Sequence, residues 1–157
     1  MRSGTLPVPL CVGLGKAAAI AKSEIAAEAQ RLLALRARLL NGLKSRIPDL
    51  VLNGHAEKRL PGNLNLSFPS IKAPDLIASC PGLALSTGSA CTAAEIEPSY
   101  VLKALGLGED IAGSSLRLGI GRFTTATEID FAVEVLYAAI RRLMSGQGVT
   151  SAAGGTT

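Results

Sequence analysis

The sequence predicts an α/β fold in which a small, mostly antiparallel sheet packs against a long N-terminal and a long C-terminal helix. Apolar residues recur at helical spacing before residue 44 and again after residue 126. Between these two regions lie short segments in which polar and apolar residues alternate, as they do in half-buried strands. The 157 residues are 48% hydrophobic but only 3% aromatic, so we expect one aliphatic core.

The first helix is predicted to extend to about Lys44. Its expected buried face consists of Ile25, Leu32, Leu35, Leu39 and Leu43. Cys11 lies among apolar residues and is predicted to be a small buried side chain. Pro48 ends the helix, and residues 51–52 form a short strand that stops at the turn residues Asn53 and Gly54.

The middle of the chain is predicted to contain two strands and two short helices. Residues 63–68 alternate as a half-buried strand, and residues 83–86 form a further strand candidate. A short helix is expected over residues 73–80, with Cys80 as a structural residue at its end. A second helix begins at Pro98, since proline suits the first helical position, and ends at Gly106.

The last strand and helix have the clearest local signals. Residues 115–120 alternate strictly, so Leu116, Leu118 and Ile120 face the core while Arg117 projects from the opposite face. Thr125 and Glu128 form a capping-box pattern before a long amphipathic helix. The uncharged, small-residue stretch 145–157 is predicted to be a disordered tail that follows the domain of residues 1–144.

Composition argues against several classes of function. The net charge of +4 is mild, and no aromatic residues interleave with the basic ones, so nucleic-acid binding is not expected. Three cysteines without a C-x-x-C pair and a single histidine predict neither a disulfide framework nor a metal site. His55 follows a turn and is predicted to be a surface residue. No signal peptide or membrane span is recognisable, which favours a cytoplasmic protein with reduced thiols.

Cys91 and Arg117 are the residues with the most distinctive chemistry. Cys91 lies in a loop of small residues, 86–92, which suits a thiol that must move. From the residues alone, an ordinary surface loop with an incidental thiol remains the preferred interpretation. An arginine on the open face of a strand is usually solvated, although its planar fork also suits a carboxylate.

The order of the motifs resembles the C-terminal part of the pyridoxal-phosphate (PLP) cysteine desulfurases, within the class-V aminotransferase-like family. The motifs are Arg-Ser-Gly-Thr at 2–5, Ser-Thr-Gly-Ser-Ala-Cys-Thr at 86–92 and Leu-Arg-Leu-Gly-Ile-Gly-Arg at 116–122. The resemblance extends over residues 1 to about 144 and implies the small C-terminal domain of a PLP fold-type I enzyme. It covers only the last third or so of such an enzyme.

The resemblance also implies roles for three residues. Cys91 would take sulfur from L-cysteine as a persulfide and leave L-alanine, and Arg117 would bind the substrate α-carboxylate. Thr5 would reach across a homodimer to the PLP phosphate of the other subunit, so that residues 1–144 include a dimer-crossing N-terminal segment. The sulfur would pass to an acceptor or iron–sulfur scaffold protein, for iron–sulfur cluster assembly or thiolation.

The sequence departs from that family in one respect, because none of its lysines has the His-Lys setting of a Schiff-base lysine. The chain alone is therefore predicted to be inactive, and an incomplete or split gene with a separate N-terminal half is expected. Three alternatives stay open: a non-catalytic sulfur-relay domain, a dimerisation or interaction fragment, and part of a selenocysteine lyase.

Overall fold

The computed structural model describes residues 4–87 and 99–146. In chain order the elements are α1 (Val8–Lys44), β1 (Val51–Leu52), β2 (Asn63–Ser67), α2 (Ala73–Ala78), α3 (Tyr100–Ala104), α4 (Glu109–Gly113), β3 (Ser115–Gly119) and α5 (Ala126–Met144). Within the described residues, the strands form one antiparallel sheet in the order β1-β2-β3. The predicted combination of a small antiparallel sheet with two long helices is confirmed.

The core is aliphatic, as the composition predicts, and it lies between one face of the sheet and the two long helices. The side chains that are at most 2% exposed include Leu39 and Leu43 of α1, Leu64 and Leu66 of β2, Leu116 of β3, and Leu136 of α5. Burying one leucine contributes about 1.5–3 kcal/mol. This core therefore provides the main stabilisation, with Phe68 as its one fully buried aromatic residue among those described.

Ion pairs on the surface fix how α1 and α5 align. Arg38 donates to both carboxylate oxygens of Asp130, at 2.6 and 2.8 Å, and Arg46 contacts Glu134 at 2.6 Å. The hydrogen bond from Arg38 lowers the pKa of the Asp130 carboxyl, and that from Arg46 lowers the pKa of Glu134. Exposed pairs are screened by solvent and contribute little to stability, so they align the two helices more than they stabilise them.

The N-terminal half of α1 extends beyond the rest of the described structure. At 1.5 Å per residue, the 37 residues of α1 span roughly 55 Å and the 19 residues of α5 roughly 28 Å. Ile25 is 67% exposed, and Cys11 is also exposed. The prediction that both are buried is wrong, because a helical period identifies a face but does not show where along the helix a neighbour covers it.

The start of α5 is held as the sequence predicts. Thr125 caps the helix, and its side chain accepts from the backbone N–H of Glu128 while the Glu128 carboxylate accepts from the Thr125 N–H. This last bond lowers the pKa of Glu128. Arg31 of α1 donates to the carbonyls of Gly121, Arg122 and Thr124, so the loop between β3 and α5 is tied to α1.

Two elements differ from the sequence prediction. Residues 83–86 do not form a full strand; they contribute a single bridge between Ser86 and Arg117. The preceding turn at residues 81–82 and the half-buried side chains of Leu83 and Leu85 leave only the end of this segment beside β3. The short helix α4 was not predicted, although Gly108 and two acidic residues in the first turn are consistent with a helix start.

Three predicted segments lie outside the described residues. The loop around Cys91 and the proline at position 98 fall within residues 88–98, and most of the predicted tail falls within residues 147–157. The helix expected after Pro98 is present as α3, which begins at Tyr100. The mobility of the Cys91 loop therefore stays a prediction.

Gly62 provides a test of how closely the chain packs at the edge of the sheet. A Cβ atom at this position would overlap the carbonyl oxygen of Ile120, whose N–H donates to the Gly62 carbonyl at 2.8 Å. Because both contacts are to backbone, Gly62→Ala should lower the free energy of unfolding by about 1–3 kcal/mol. Urea denaturation of the full chain measures this value. Gly113→Ala, which meets no atom within 4 Å, is the control; equal stability of the two variants would contradict the packing.

Candidate functional site

The sheet has one apolar and one polar face, and the polar face contains the candidate site. In the β2–β3 register Leu64 pairs with Leu118 and Asn65 pairs with Arg117. Successive side chains point to opposite faces, so the leucines enter the core while Asn65 and Arg117 share the other face. The predicted orientation of Arg117 is confirmed, since its neighbours Leu116 and Leu118 are buried and it is exposed.

The backbone of Arg117 is held by a hydrogen bond, whereas its side chain is exposed to solvent. Its N–H donates to the carbonyl of Ser86 at 2.7 Å, which holds the start of the cysteine-containing segment against β3. Among the described residues, the guanidinium has no hydrogen-bond or ion-pair partner. A guanidinium in this state can donate two parallel hydrogen bonds to a carboxylate.

A cavity of about 300 Å³ lies over this polar face, and Arg117 is one of its walls. Thr87 and Ser99 also line it, and they are the described residues on either side of the segment that contains Cys91. Cys91 itself lies outside the described residues. Both ends of its segment therefore meet at the cavity beside the predicted carboxylate-binding arginine.

Asn53 supports the floor of this cavity through a buried hydrogen-bond network. Its side-chain amide lies within 2.7 Å of the oxygens of Asn65 and Ser67 and within 3.2 Å of the Ser115 hydroxyl. The Ser115 hydroxyl in turn donates to the Ile111 carbonyl at 2.7 Å. One side chain thus links the end of β1 to β2, β3 and α4 beneath Arg117.

The cavity also has basic residues from the loop after β1 in its lining. Arg59 donates from Nε to the His55 carbonyl and from Nη2 to the Asn53 carbonyl, each at 2.7 Å. Burial, with a smaller effect of the nearby Arg36 charge, lowers the pKa of Arg59. His55 and Lys58 also line the cavity. His55 is exposed, as predicted, and its Nδ1 accepts from the N–H groups of Glu57 and Lys58 at 3.0 Å.

Sequence reasoning identified Arg117 but missed the residues that surround it. Because Asn63 and Asn65 alternate with leucines, the sequence predicts that they lie on the face of the strand opposite to the core. The Asn-Gly pair predicts the turn at residue 53. No local pattern predicts that β2 pairs with β3, and this pairing places Asn65 opposite Arg117. Arg59 carries no motif and is recognisable only once the loop has folded.

Thr5 does not line this cavity, and it is exposed ahead of α1. PLP needs an amine for its Schiff base, an acid opposite the pyridine nitrogen and donors for its phosphate. An exposed hydroxyl suits the phosphate, but no Asp or Glu lies among the described residues that line the cavity. Among the described lining residues, Arg117 has donors suited to a carboxylate, and none carries the acid that the pyridine nitrogen needs.

Cys80 and a second cavity do not contribute to this site. Cys80, predicted to be a structural residue, is fully buried, and burial raises the pKa of its thiol. Another cavity, of about 610 Å³, lies between Phe131 of α5 and the loop after β3, and is mainly apolar. The described residues contain no His, Cys, Asp and Glu group suited to a metal ion. No helix within residues 4–87 and 99–146 has the length and apolar character needed to cross a membrane.

A family model links this arrangement to known proteins. The model described as aminotransferase class-V matches residues 1–131. The chain belongs to the class-V aminotransferase family. The family resemblance that the motifs predict is therefore confirmed.

Individual relatives agree with the family model. The chain is 52% identical over 143 residues to cysteine desulfurase IscS of Aeromonas hydrophila and 50% identical to IscS of Rickettsia typhi. Both alignments cover 91% of this chain and 35% of the relative, so the chain spans about a third of the length of these relatives. The X-ray structure of a NifS-like protein from Rickettsia africae matches 89% of this chain and 36% of that one, with a TM-score of 0.78 and 25% identity.

Asn53 should be important for stability because its amide is buried and bonded to three side chains of β2 and β3. We expect Asn53→Ala to lower the free energy of unfolding by about 1–3 kcal/mol, since it removes these buried hydrogen bonds and leaves the Ser67 and Ser115 hydroxyls bonded only to each other and to the Ile111 carbonyl. Urea denaturation monitored by circular dichroism gives this difference. Asn41→Ala, at an exposed position of α1, is the control. A loss at Asn53 no larger than that at Asn41 would refute the role of the network.

Proposed function

We propose that the chain provides the substrate-carboxylate clamp and the sulfur-accepting thiol of a PLP-dependent cysteine desulfurase. The observation that supports this most directly is the position of Arg117. Its guanidinium, without a partner among the described residues, lines the same cavity as Thr87 and Ser99, between which Cys91 lies in sequence. Family membership and relatives named cysteine desulfurase support the same activity.

In this proposal Arg117 binds the α-carboxylate of L-cysteine, and Cys91 receives the substrate's sulfur. A thiolate is the attacking species, because the thiol itself is a poor nucleophile. A new S–S bond forms at Cys91 as the C–S bond of the substrate breaks. The products are a persulfide on Cys91 and L-alanine. The reactants are the thiols of Cys91 and L-cysteine, so the atoms and protons balance: the hydrogen that the Cys91 thiol loses completes the methyl group of alanine.

The cofactor would be bound largely outside the described site. A lysine of an N-terminal domain or separate chain would hold PLP, and Thr5 would donate to its phosphate across a homodimer. The sulfur would then pass from Cys91 to an acceptor such as an iron–sulfur scaffold protein, in the cytoplasm. The cavity's basic walls and the lack of acidic lining residues among those described favour an acidic substrate group there.

A second candidate is a non-catalytic sulfur-relay or dimerisation module. The observation that favours a dimerisation module is the exposure of large apolar side chains along the N-terminal half of α1, among them Leu10, Leu14 and Ile25. A selenocysteine lyase is a third reading of the same site, because a selenol would occupy the position of the thiol without changing the carboxylate contact.

Sulfide release tests the proposed activity and the role of Cys91 together. L-cysteine, PLP and a reductant should give sulfide when the chain is mixed with a lysine-bearing N-terminal domain, and little with the chain alone. Cys91→Ala should abolish release while PLP stays bound, because the cofactor does not depend on the thiol. Cys11→Ala, which removes an exposed thiol on α1, should retain full release. Turnover by Cys91→Ala would refute the role of this residue, and the absence of sulfide in every mixture would favour the relay or dimerisation module.

The carboxylate clamp makes a separate kinetic prediction. In the same mixture, Arg117→Gln should raise the KM for L-cysteine about 10- to 100-fold, the range expected for losing hydrogen bonds to a charged group. Initial rates against cysteine concentration give this value. Arg122→Gln, which removes an exposed arginine paired with Glu24, should leave KM nearly unchanged. An unchanged KM in Arg117→Gln would exclude the clamp.

A further inference from the structure

Arg59 is held in the cavity wall in a way that leaves part of its guanidinium available. Two of its N–H groups are used by the carbonyls of His55 and Asn53, at 2.7 Å each. A guanidinium carries five N–H donors, so these two bonds fix its plane without exhausting its donors. Among the described residues no carboxylate contacts it. Arg59 is therefore a positioned cation without a counter-ion in the described structure.

The cavity as a whole has an excess of positive charge. Arg59, Lys58 and Arg117 line it, and no Asp or Glu is found among its described lining residues. Asn53, Asn63 and Asn65 are also part of the polar lining. A cavity with one sign of charge and low-dielectric walls concentrates ions of the opposite sign. Of these three cations only Arg59 is half-buried, and a negative group beside it would offset its desolvation, while the exposed Arg117 offers a second cation. The lining is therefore suited to a ligand that carries more than one negative charge.

We propose that Arg59 is a second anion-binding group of this cavity, so that a ligand held at Arg117 by one carboxylate is held at Arg59 by a second acid group. The inference rests on the proposed function only in taking this cavity as the substrate pocket. It adds a substrate or inhibitor class, namely small molecules with two acid groups a few carbon atoms apart.

The neighbours of Arg59 indicate how such a ligand would be selected. Nδ1 of His55 accepts two backbone N–H groups, which orients its ring beside Arg59. The Asn53 carbonyl that holds Arg59 belongs to the residue whose amide supports the strand beneath Arg117. Asn53 thus connects the two arginines through the fold, which keeps them in a fixed relation and favours ligands of one length.

Dicarboxylate binding tests the proposal without any catalytic readout. The probes are malonate, succinate and glutarate, with propionate as the acid that carries one charge. Isothermal titration of the full chain gives the affinities of wild type, Arg59→Gln, Arg59→Lys and Arg117→Gln. Arg36→Gln is the control, because Arg36 lies near Arg59 and bonds to the Leu60 carbonyl but does not line the cavity.

We expect wild type to bind at least one dicarboxylate about tenfold more tightly than propionate, the gain typical of an added charge-assisted hydrogen bond. Arg59→Gln should remove this preference and leave propionate binding unchanged, while Arg117→Gln weakens both acids. Arg59→Lys should keep part of the preference, and Arg36→Gln all of it. Equal affinity of wild type for mono- and dicarboxylates, no binding of any acid, or a full preference in Arg59→Gln would overturn the proposal.

The outcomes separate this inference from the proposed function. If the mixture releases no sulfide but dicarboxylates still bind in a way that depends on Arg59, the desulfurase proposal is contradicted and the second anion site stands. Sulfide release that depends on Cys91 and Arg117, together with equal binding of mono- and dicarboxylates, would contradict the second site alone.

Discussion

The pairing of β2 with β3 is the constraint on which the rest of the described structure depends. Leu64 and Leu66 enter the core only because Leu118 and Leu116 lie opposite them on the same face. The same register puts Asn65 opposite Arg117 on the other face. A shift by one residue would bury the arginine and expose the leucines, since side chains alternate along a strand. The hydrophobic core thus selects the register, and the register determines the chemistry of the polar face.

The two faces of the sheet are stabilised in different ways. The apolar face is covered by the C-terminal half of α1 and by α5, where side chains such as Leu39, Leu43 and Leu136 are nearly inaccessible to solvent. The polar face meets only the short helices α3 and α4 in the described residues, through Val101 at the cavity and the Ile111 carbonyl bonded to Ser115, and it is organised by hydrogen bonds around Asn53. Burial of apolar area is non-directional, whereas hydrogen bonds have a defined geometry. The candidate site is therefore on the polar face, where hydrogen bonds of defined geometry fix the position of each side chain.

The sequence predicts this structure well where the determinants are local. The alternation around Arg117 and the capping box at Thr125 are properties of a few adjacent residues, and both are present as expected. Cys11 and Ile25 were mispredicted because burial depends on where a distant element ends, which the helical period does not contain. Arg59 was missed for a related reason: its partners, the carbonyls of residues 53 and 55, become acceptors only after the loop has closed.

Arg117 combines two roles that belong to different parts of the same residue. Its backbone N–H holds the Ser86 carbonyl and thus one end of the segment that contains Cys91, while its side chain faces the cavity. Substitution of the side chain removes the guanidinium and leaves the backbone bond in place, because every residue except proline keeps its N–H. A kinetic effect of Arg117→Gln therefore reports on carboxylate binding and not on release of the cysteine-containing segment. In the proposed desulfurase, one strand position would accordingly fix both the substrate and the start of the chain that carries the sulfur acceptor.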